Sequence, residues 1–309
     1  ILIQTFPDFE FIIIDDGSTD STAEIVNGYS DSKIRFWPNA RNMGVAATLN
    51  RGLDLACGEY IARMDADDIS MRERFSKQVD YLDTHPNVAV CGTAIELFCD
   101  EAVIGTRFPS TEPEKIKEDL FFSCGIAHPS VMMRRTAILD LGGYDPAFNG
   151  MEDYELWCRV ADKSKIATLS EILLRYRLHR SQVTQNPSPR YKEQMLNLKQ
   201  RQITQLGVKA ASDELSAYVA YCIGTIGMDY SEIAALGRCF EKAEAENKKR
   251  KYYHCEFLSS DFKNVLLNLA MELDIQEQKR LCTECSMITQ RELRERKMKT
   301  LAKKLLGRS

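Results

Sequence analysis

Two short apolar runs near the start of this chain each end in a cluster of carboxylates. Asp15 and Asp16 directly follow Phe-Ile-Ile-Ile at residues 11–14. An Asp-Ala-Asp-Asp run at residues 65–68 directly follows Tyr-Ile-Ala-Arg-Met at residues 60–64. Short runs of β-branched and aromatic residues are typical of buried strands. Because α/β sheets bind ligands beyond the carboxyl ends of their parallel strands, the two clusters are predicted to line one pocket, suited to a divalent cation carrying a phosphate.

The surrounding sequence alternates strand and helix patterns, which predicts an α/β layered fold. The predicted strands are residues 10–14, 34–37, 60–64, 88–97, 103–108, 131–133, 166–169 and 172–178. The predicted helices between them are residues 18–29, 45–57, 70–84 and 152–161. The first helix is expected to begin at Ser18 or Asp20, because either side chain can cap a helix.

Composition changes at residues 185–189, where two prolines among polar residues indicate a linker. We therefore expect an α/β domain over residues 1–184 and a helical region over residues 185–309. The formal charge of −4 argues against nucleic acid as the main partner. The ten Cys residues are scattered, which favours a reducing cytoplasm over a disulfide framework. No apolar stretch approaches the ~18 residues that suggest a membrane span.

The tail from residue 291 to residue 309 holds eight basic and two acidic residues. Leu301, Leu305 and Leu306 lie among them, as in a basic amphipathic helix. Such a helix favours peripheral contact with an anionic membrane, at the inner face of the cytoplasmic membrane. A solvated terminal helix is the alternative interpretation.

Further motifs follow the first acidic cluster in a defined order. They are residues 39–44 (Asn-Ala-Arg-Asn-Met-Gly), 65–68 (Asp-Ala-Asp-Asp), 128–130 (His-Pro-Ser), 142–145 (Gly-Gly-Tyr-Asp), 152–157 (Glu-Asp-Tyr-Glu-Leu-Trp) and 176–179 (Tyr-Arg-Leu-His). This series closely resembles the family 2 glycosyltransferases, which are inverting enzymes of the GT-A fold that use nucleotide-sugar donors. The resemblance extends from residue 1 to about residue 183, and the shared order and spacing make it specific.

The resemblance implies a Rossmann-like mixed sheet followed, in this chain, by an α-helical C-terminal region. It implies transfer of a hexose or N-acetylhexosamine from a UDP-sugar to a glycan or lipid-linked acceptor, in bacterial surface polysaccharide synthesis. Two alternatives stay open. A sugar nucleotidyltransferase also uses an α/β sheet and Mg²⁺, but usually has a Gly-rich loop near its N-terminus that is not visible here. The second alternative is a nucleotide- or glycan-binding module that has no catalytic activity.

A departing diphosphate needs a cation such as Mn²⁺ or Mg²⁺, which takes one or two protein carboxylates. Asp67 suits the role of main ligand. By the resemblance, Asp65 contacts the ribose and the metal, and His179 lies near the metal or the diphosphate. Asp68 is expected to support the loop, and to lie on the acceptor side or at the metal. An acidic loop that caps the following helix is the alternative.

A carboxylate that accepts a hydrogen bond from the uracil imide would explain a preference for uridine. The residues expected to bind the nucleotide are Asp15, Asp16, Gly17, Ser18, Arg41, Asn42 and Asp65. Gly17 allows a tight turn beside the base. A plain strand-to-helix turn, with a solvated arginine nearby, is the alternative.

An inverting displacement also needs a general base for the acceptor hydroxyl. The resemblance assigns this role to Asp153, with Glu152 aiding position or acceptor binding. Stabilisation of a helix N-terminus by the two acidic side chains is the alternative. His128 is expected to border the acceptor site, and Trp157 is expected to belong to the core.

Residues 1–4 look like the end of a helix that, in the family, follows a first apolar strand. We therefore expect the first strand of the sheet to be absent from this sequence. Its absence would expose a sheet edge. The chain as given is expected to be weakly active or inactive alone, and upstream residues should restore activity.

Overall fold

The computed structural model describes residues 1–179 and 189–305. Two compact units can be distinguished, Ile1–Tyr191 and Lys192–Ser309. The predicted boundary after residue 184 lies outside the described residues, as does nearly all of the predicted linker. The first unit is α/β and the second is helical, as the sequence predicts.

The first unit alternates strands and helices. Its strands are β1 (Phe11–Asp15), β2 (Ile34–Pro38), β3 (Tyr60–Ala62), β4 (Ile69–Ser70), β5 (Val88–Cys99), β6 (Ala102–Arg107), β7 (Met132–Arg134) and β8 (Lys165–Arg177). Its helices are α1 (Thr22–Asn27), α2 (Val45–Leu55), α3 (Arg74–Thr84), α4 (Pro113–Phe122), α5 (Arg135–Asp140) and α6 (Glu152–Lys163).

Some predicted elements have different bounds in the structure. The helix predicted from residue 70 begins at Arg74, because the backbone of Ser70 pairs with Leu174 in the sheet. The strands predicted at residues 166–169 and 172–178 form the single strand β8, which follows β5 through several register shifts. Ser170 and Glu171, which lie between the two predicted strands, therefore belong to one continuous strand.

The start of α1 also differs from the prediction. The helix begins at Thr22 with Ser21 as its N-cap, so the predicted caps at Ser18 and Asp20 were wrong. Asp20 instead accepts hydrogen bonds from the backbone and the hydroxyl of Thr22. The backbone N–H of Ser18 donates to the carboxylate of Asp15, 2.9 Å away. Residues 15–21 thus form a turn that closes on the end of β1.

The described strands form two sheets. Strands β1 and β2 pair in parallel, and the other six form a sheet in the order β3-β7-β5-β8-β4, with β6 also paired to β5. Among the described strands of the larger sheet, only β5 and β8 are parallel. Within residues 1–179, β1 pairs with β2 alone and β3 with β7 alone, so the sheet structure is interrupted between β1 and β3.

The core of the first unit lies around β5. The first eight residues of this strand are buried, as expected for a central strand covered on both faces. Helix α3 contributes Phe75 and Leu82 to the same cluster as Cys91 and Met132. Trp157 of α6 is fully buried, which confirms its predicted place in the core.

The second part of the chain is a set of helices. They are α7 (Tyr191–Leu206), α8 (Ser212–Cys222), α9 (Tyr230–Arg250), α10 (Cys255–Ala270), α11 (Ile275–Glu284) and α12 (Gln290–Leu305). Capping boxes start α9 at Asp229 and α11 at Asp274. Phe240 stacks on Phe262 with ring centroids 4.2 Å apart. None of the helices described has both the length and the apolar character that crossing a membrane requires.

Candidate functional site

Three carboxylates converge in the loop between β3 and β4. One side-chain oxygen from each of Asp65, Asp67 and Asp68 lies within 4.8 Å of the others. The loop begins where β3 stops, as the sequence predicts for the end of an apolar strand. This is the arrangement in which hard oxygen ligands can share one cation.

The end of β8 holds this loop in place. The backbone N–H of Arg177 donates to Asp68 Oδ1 at 2.8 Å, and its Nε donates to the carbonyl oxygen of Asp67 at 2.8 Å. His179 Nε2 lies 3.0 Å from Asp67 Oδ2. The structure therefore brings His179 and Asp67 together, from positions far apart in the sequence.

The position of Asp68 in this cluster disfavours its ionised form. Burial, together with the charges of Asp67 and Asp65, raises the pKa of Asp68 to about 7. Its Oδ2 atom is buried without a hydrogen-bond partner within the described residues. Three neighbouring carboxylates, one of which has an unpartnered oxygen, fit a divalent cation such as Mg²⁺ or Mn²⁺.

Two arginines that the sequence prediction missed underlie this loop. Arg74 is fully buried and donates to the carbonyl oxygens of Arg63 at 2.7 Å and Val131 at 3.0 Å. Burial lowers the pKa of Arg74 to about 9. Arg63 pairs with Asp65, and its Nε atom is buried without a partner in the described part of the chain. The signal available for Arg63 was its position inside the otherwise apolar run of residues 60–64, since charged residues are rarely buried unless paired.

Asp16 organises the neighbouring loop. Its carboxylate accepts hydrogen bonds from Asn39 Nδ2 at 2.6 Å and from the backbone N–H groups of Met43 at 2.8 Å and Gly44 at 3.0 Å. Burial opposes ionisation of Asp16, but these bonds and one from Thr48 outweigh it and lower the pKa. Asp16 thus fixes the loop over residues 39–44, and its predicted contact with the nucleotide stays a prediction.

Gly17 allows that loop to approach the end of β1. It has a φ of +82°, and a Cβ at this position would lie 2.8 Å from Asn42 N and 2.9 Å from the carbonyl carbon of Arg41. Arg41 and Asn42 themselves are exposed, as expected for residues that could contact a ligand. Asp15 is buried against the same turn through its bond to Ser18.

We expect Gly17→Ala to lower the free energy of unfolding by about 1–2 kcal/mol or more, because the left-handed backbone and the close contact are both unfavourable for alanine. Chemical denaturation would measure this change. Gly125→Ala is the matched control, because a Cβ there meets no atom within 4 Å. Equal effects of the two substitutions would contradict the proposed close approach.

The start of α6 carries the predicted base. Glu152 is buried and its Oε2 accepts from the backbone N–H of Gly150 at 2.6 Å, so this side chain holds the turn before the helix. Asp153 is partly buried, and its Oδ1 accepts from the backbone N–H of Tyr154 at 2.7 Å. Burial and the charge of Glu152 raise the pKa of Asp153 to about 6. A carboxylate with such a pKa can exchange a proton near neutral pH.

A buried ion pair explains another part of the same motif. Glu155 is fully buried and is paired by Arg159, four residues further along α6. Arg159 also donates to the carbonyl oxygens of Leu141 at 2.8 Å and Gly143 at 2.7 Å. The helix that carries Asp153 is thereby attached to the glycine turn that precedes Tyr144.

His128 occupies a buried position. Only 6% of its surface is exposed, and Nε2 lies 2.9 Å from the hydroxyl of Tyr144. Its ring meets Trp157 edge to face at 5.7 Å. Burial and the charge of Arg63 lower the pKa of His128 well below its usual value, so the imidazole is neutral. This position favours a structural role, and the acceptor-side role stays a prediction.

Comparison with known proteins adds to this geometry. The family model described as "Glycosyl transferase family 2" matches residues 1–142. WfaP of Escherichia coli, a UDP-Glc:alpha-D-GlcNAc-diphosphoundecaprenol beta-1,3-glucosyltransferase, is 30% identical over 210 residues, covering 68% of this chain and 79% of WfaP. The putative glycosyltransferase EpsE of Bacillus subtilis is 37% identical over 164 residues. This match covers 52% of this chain and 58% of the length of EpsE, so the chain spans little more than half of that relative.

The same fold is found in a crystal structure of S. aureus TarS 1-349 in complex with UDP-GlcNAc. The TM-score is 0.56 at 18% sequence identity, over 87% of this chain and 84% of that one. The mixed sheet and helices therefore define a protein of the GT-A glycosyltransferase fold class. With the sequence matches, the chain belongs to the family 2 glycosyltransferases.

Proposed function

We propose that this protein is an inverting glycosyltransferase that moves a sugar from a nucleotide-sugar donor to a glycan or lipid-linked acceptor. The observation that carries this proposal is the cluster of Asp65, Asp67 and Asp68, with its unpartnered buried oxygen, in a chain of this family. Family membership disfavours the nucleotidyltransferase alternative. A binding module without catalysis differs from the proposal in having no turnover.

The relatives suggest the class of donor and acceptor. WfaP is named for UDP-Glc and for a diphosphoundecaprenol-linked acceptor, and TarS was solved with UDP-GlcNAc. We therefore propose a UDP-hexose or UDP-N-acetylhexosamine as donor. A lipid-linked glycan in bacterial surface polysaccharide synthesis is the proposed acceptor.

The acidic loop would hold Mn²⁺ or Mg²⁺ through Asp67, with Asp65, Asp68 and His179 at hand. When bound, such an ion neutralises the charge that develops on the departing diphosphate. Arg63 holds one oxygen of Asp65, which leaves the other for the ribose or the ion. Asp16 and Gly17 fix the loop whose exposed residues Arg41 and Asn42 would contact the nucleotide.

Asp153 would act at the acceptor. As the acceptor oxygen forms its bond to the anomeric carbon, the bond from that carbon to the diphosphate oxygen breaks, which inverts the configuration. The hydroxyl proton passes to the carboxylate of Asp153. The raised pKa of Asp153 makes this carboxylate a stronger base than an ordinary exposed aspartate, yet leaves it ionised at neutral pH.

Calorimetric titration with UDP, GDP, CDP and dTDP, with and without Mn²⁺, tests the proposed donor site. We expect binding of UDP that depends on Mn²⁺, and weaker binding of the other three nucleotides. Release of UDP from a panel of UDP-sugars, with a lipid-linked glycan acceptor, tests turnover. Nucleotide binding without any turnover would favour the binding module, and no nucleotide binding would overturn the proposal.

A further inference from the structure

Helix α12 carries two apolar side chains on its exposed face. Met298 is 65% exposed and Leu301 is 52% exposed. A different face of the helix is packed, since Leu293 is buried and Arg296 and Thr300 are partly buried. This face lies against α10 and α11. The outward apolar ridge is therefore not part of the packing of the helical unit.

The charge of α12 is strongly positive and is not balanced locally. The helix has seven basic and two acidic residues. Both acidic residues are already paired, Glu292 with Lys263 at 2.6 Å and Glu295 with Arg291 at 2.8 Å. Within residues 189–305, the exposed Arg294, Lys299 and Lys303 have no acidic partner.

Two further cations on the helix donate hydrogen bonds to neutral amide groups. Lys297 donates to Gln278 Oε1 at 2.8 Å, and Arg296 donates to Asn264 Oδ1 at 3.0 Å. Their charges therefore add to the positive field of α12. At about 100° of rotation per residue, the exposed Arg294 lies between Met298 and Leu301 around the helix, and Lys299 and Lys303 lie on a neighbouring exposed face.

We propose that the exposed face of α12 is a docking surface for an anionic phospholipid bilayer. Lys and Arg near such a surface attract phosphate headgroups, while apolar side chains enter the boundary between headgroups and acyl chains. A nucleic acid would engage the cations but leave Met298 and Leu301 in water. The apolar ridge between the cations favours the bilayer. The proposal goes beyond the transferase activity and does not depend on it.

Sedimentation of the full chain with vesicles tests this surface. We expect binding to vesicles containing about 30% phosphatidylglycerol, little binding to pure phosphatidylcholine, and weakening by added salt. The double variant M298S/L301S and the double variant K299E/K303E should each lower the partition coefficient by about tenfold or more. Ile275→Ser, on an exposed residue of α11, is the control and should bind like the wild type.

Circular dichroism and nucleotide binding should be unchanged in all variants, because none of these residues belongs to the proposed active site. Unchanged vesicle binding in both double variants would overturn the proposal. A second overturning result is loss of vesicle binding in K299E/K303E alone, together with equally tight binding of the wild type to RNA. That result would indicate a general site for polyanions. Absence of vesicle binding in the wild type would also overturn it, and would leave the proposed transferase function untouched.

Discussion

Asp153→Asn is expected to lower kcat by about 10²–10⁴-fold, the usual contribution of a general base. The amide has nearly the shape of the carboxylate but cannot accept the proton of the acceptor hydroxyl. Binding of UDP with Mn²⁺ should stay as in the wild type, because Asp153 lies on a different element from the acidic loop. Steady-state kinetics together with calorimetry would separate the two effects.

The pH dependence of the wild type provides a second measure of the same residue. A general base works when ionised, so kcat/KM should be constant well above pH 6 and fall as the pH drops through about 6, the pKa of Asp153. An unperturbed aspartate would place this fall near pH 4. Glu152→Gln keeps an acceptor for the Gly150 amide but removes the charge that raises this pKa. The pH at which kcat/KM falls should therefore be lower in that variant than in the wild type.

Asp140→Asn is a matched control for Asp153→Asn, because Asp140 is exposed at the end of α5. It should leave both kcat and the pH profile unchanged. Near-wild-type kcat in Asp153→Asn would exclude Asp153 as the base. Loss of nucleotide binding in that variant would instead indicate a structural role for the start of α6.

Local patterns in the sequence were sufficient for the α/β layering and for the acidic loop, and the resemblance to the family 2 glycosyltransferases added the GT-A class. The GT-A class is confirmed, and residues 65–68 lie at the end of a short apolar strand, as expected. The pattern works here because a strand must bury apolar side chains and a loop must expose polar ones. Trp157 was predicted to be core for the same reason, since its helix presents an apolar face.

Contacts between distant parts of the chain could not be predicted in this way. The bond from Arg74 to the carbonyl oxygen of Val131 depends on which strands become neighbours. The same holds for the hydrogen bond from the backbone N–H of Arg177 to Asp68. Asp16 was predicted to bind the nucleotide, but nothing in its motif indicates that three donors from residues 39–44 would surround it. Roles that depend on side-chain partners across the fold need the structure.

Asp67→Asn is expected to remove most of the Mn²⁺ dependence of nucleotide binding and to lower turnover by about 10²–10³-fold. A Lewis-acid cation stabilises the charge that develops in the transition state by several kcal/mol. Each 1.36 kcal/mol of lost stabilisation lowers the rate about tenfold, which gives the size of this effect. An asparagine oxygen is a weaker ligand than a carboxylate. The bond from His179 to Asp67 also loses its charged acceptor.

Titration of Mn²⁺ at a fixed concentration of UDP would measure this change directly. Asp54→Asn removes one negative charge from an exposed position outside the cluster and is the matched control. If both variants weakened Mn²⁺ binding equally, the effect would come from net charge, and Asp67 would not be a ligand. Loss of Mn²⁺ binding in Asp67→Asn, with Mn²⁺ binding retained in Asp153→Asn, would assign donor binding and proton transfer to separate carboxylates. This is what the separate positions of the acidic loop and the start of α6 imply.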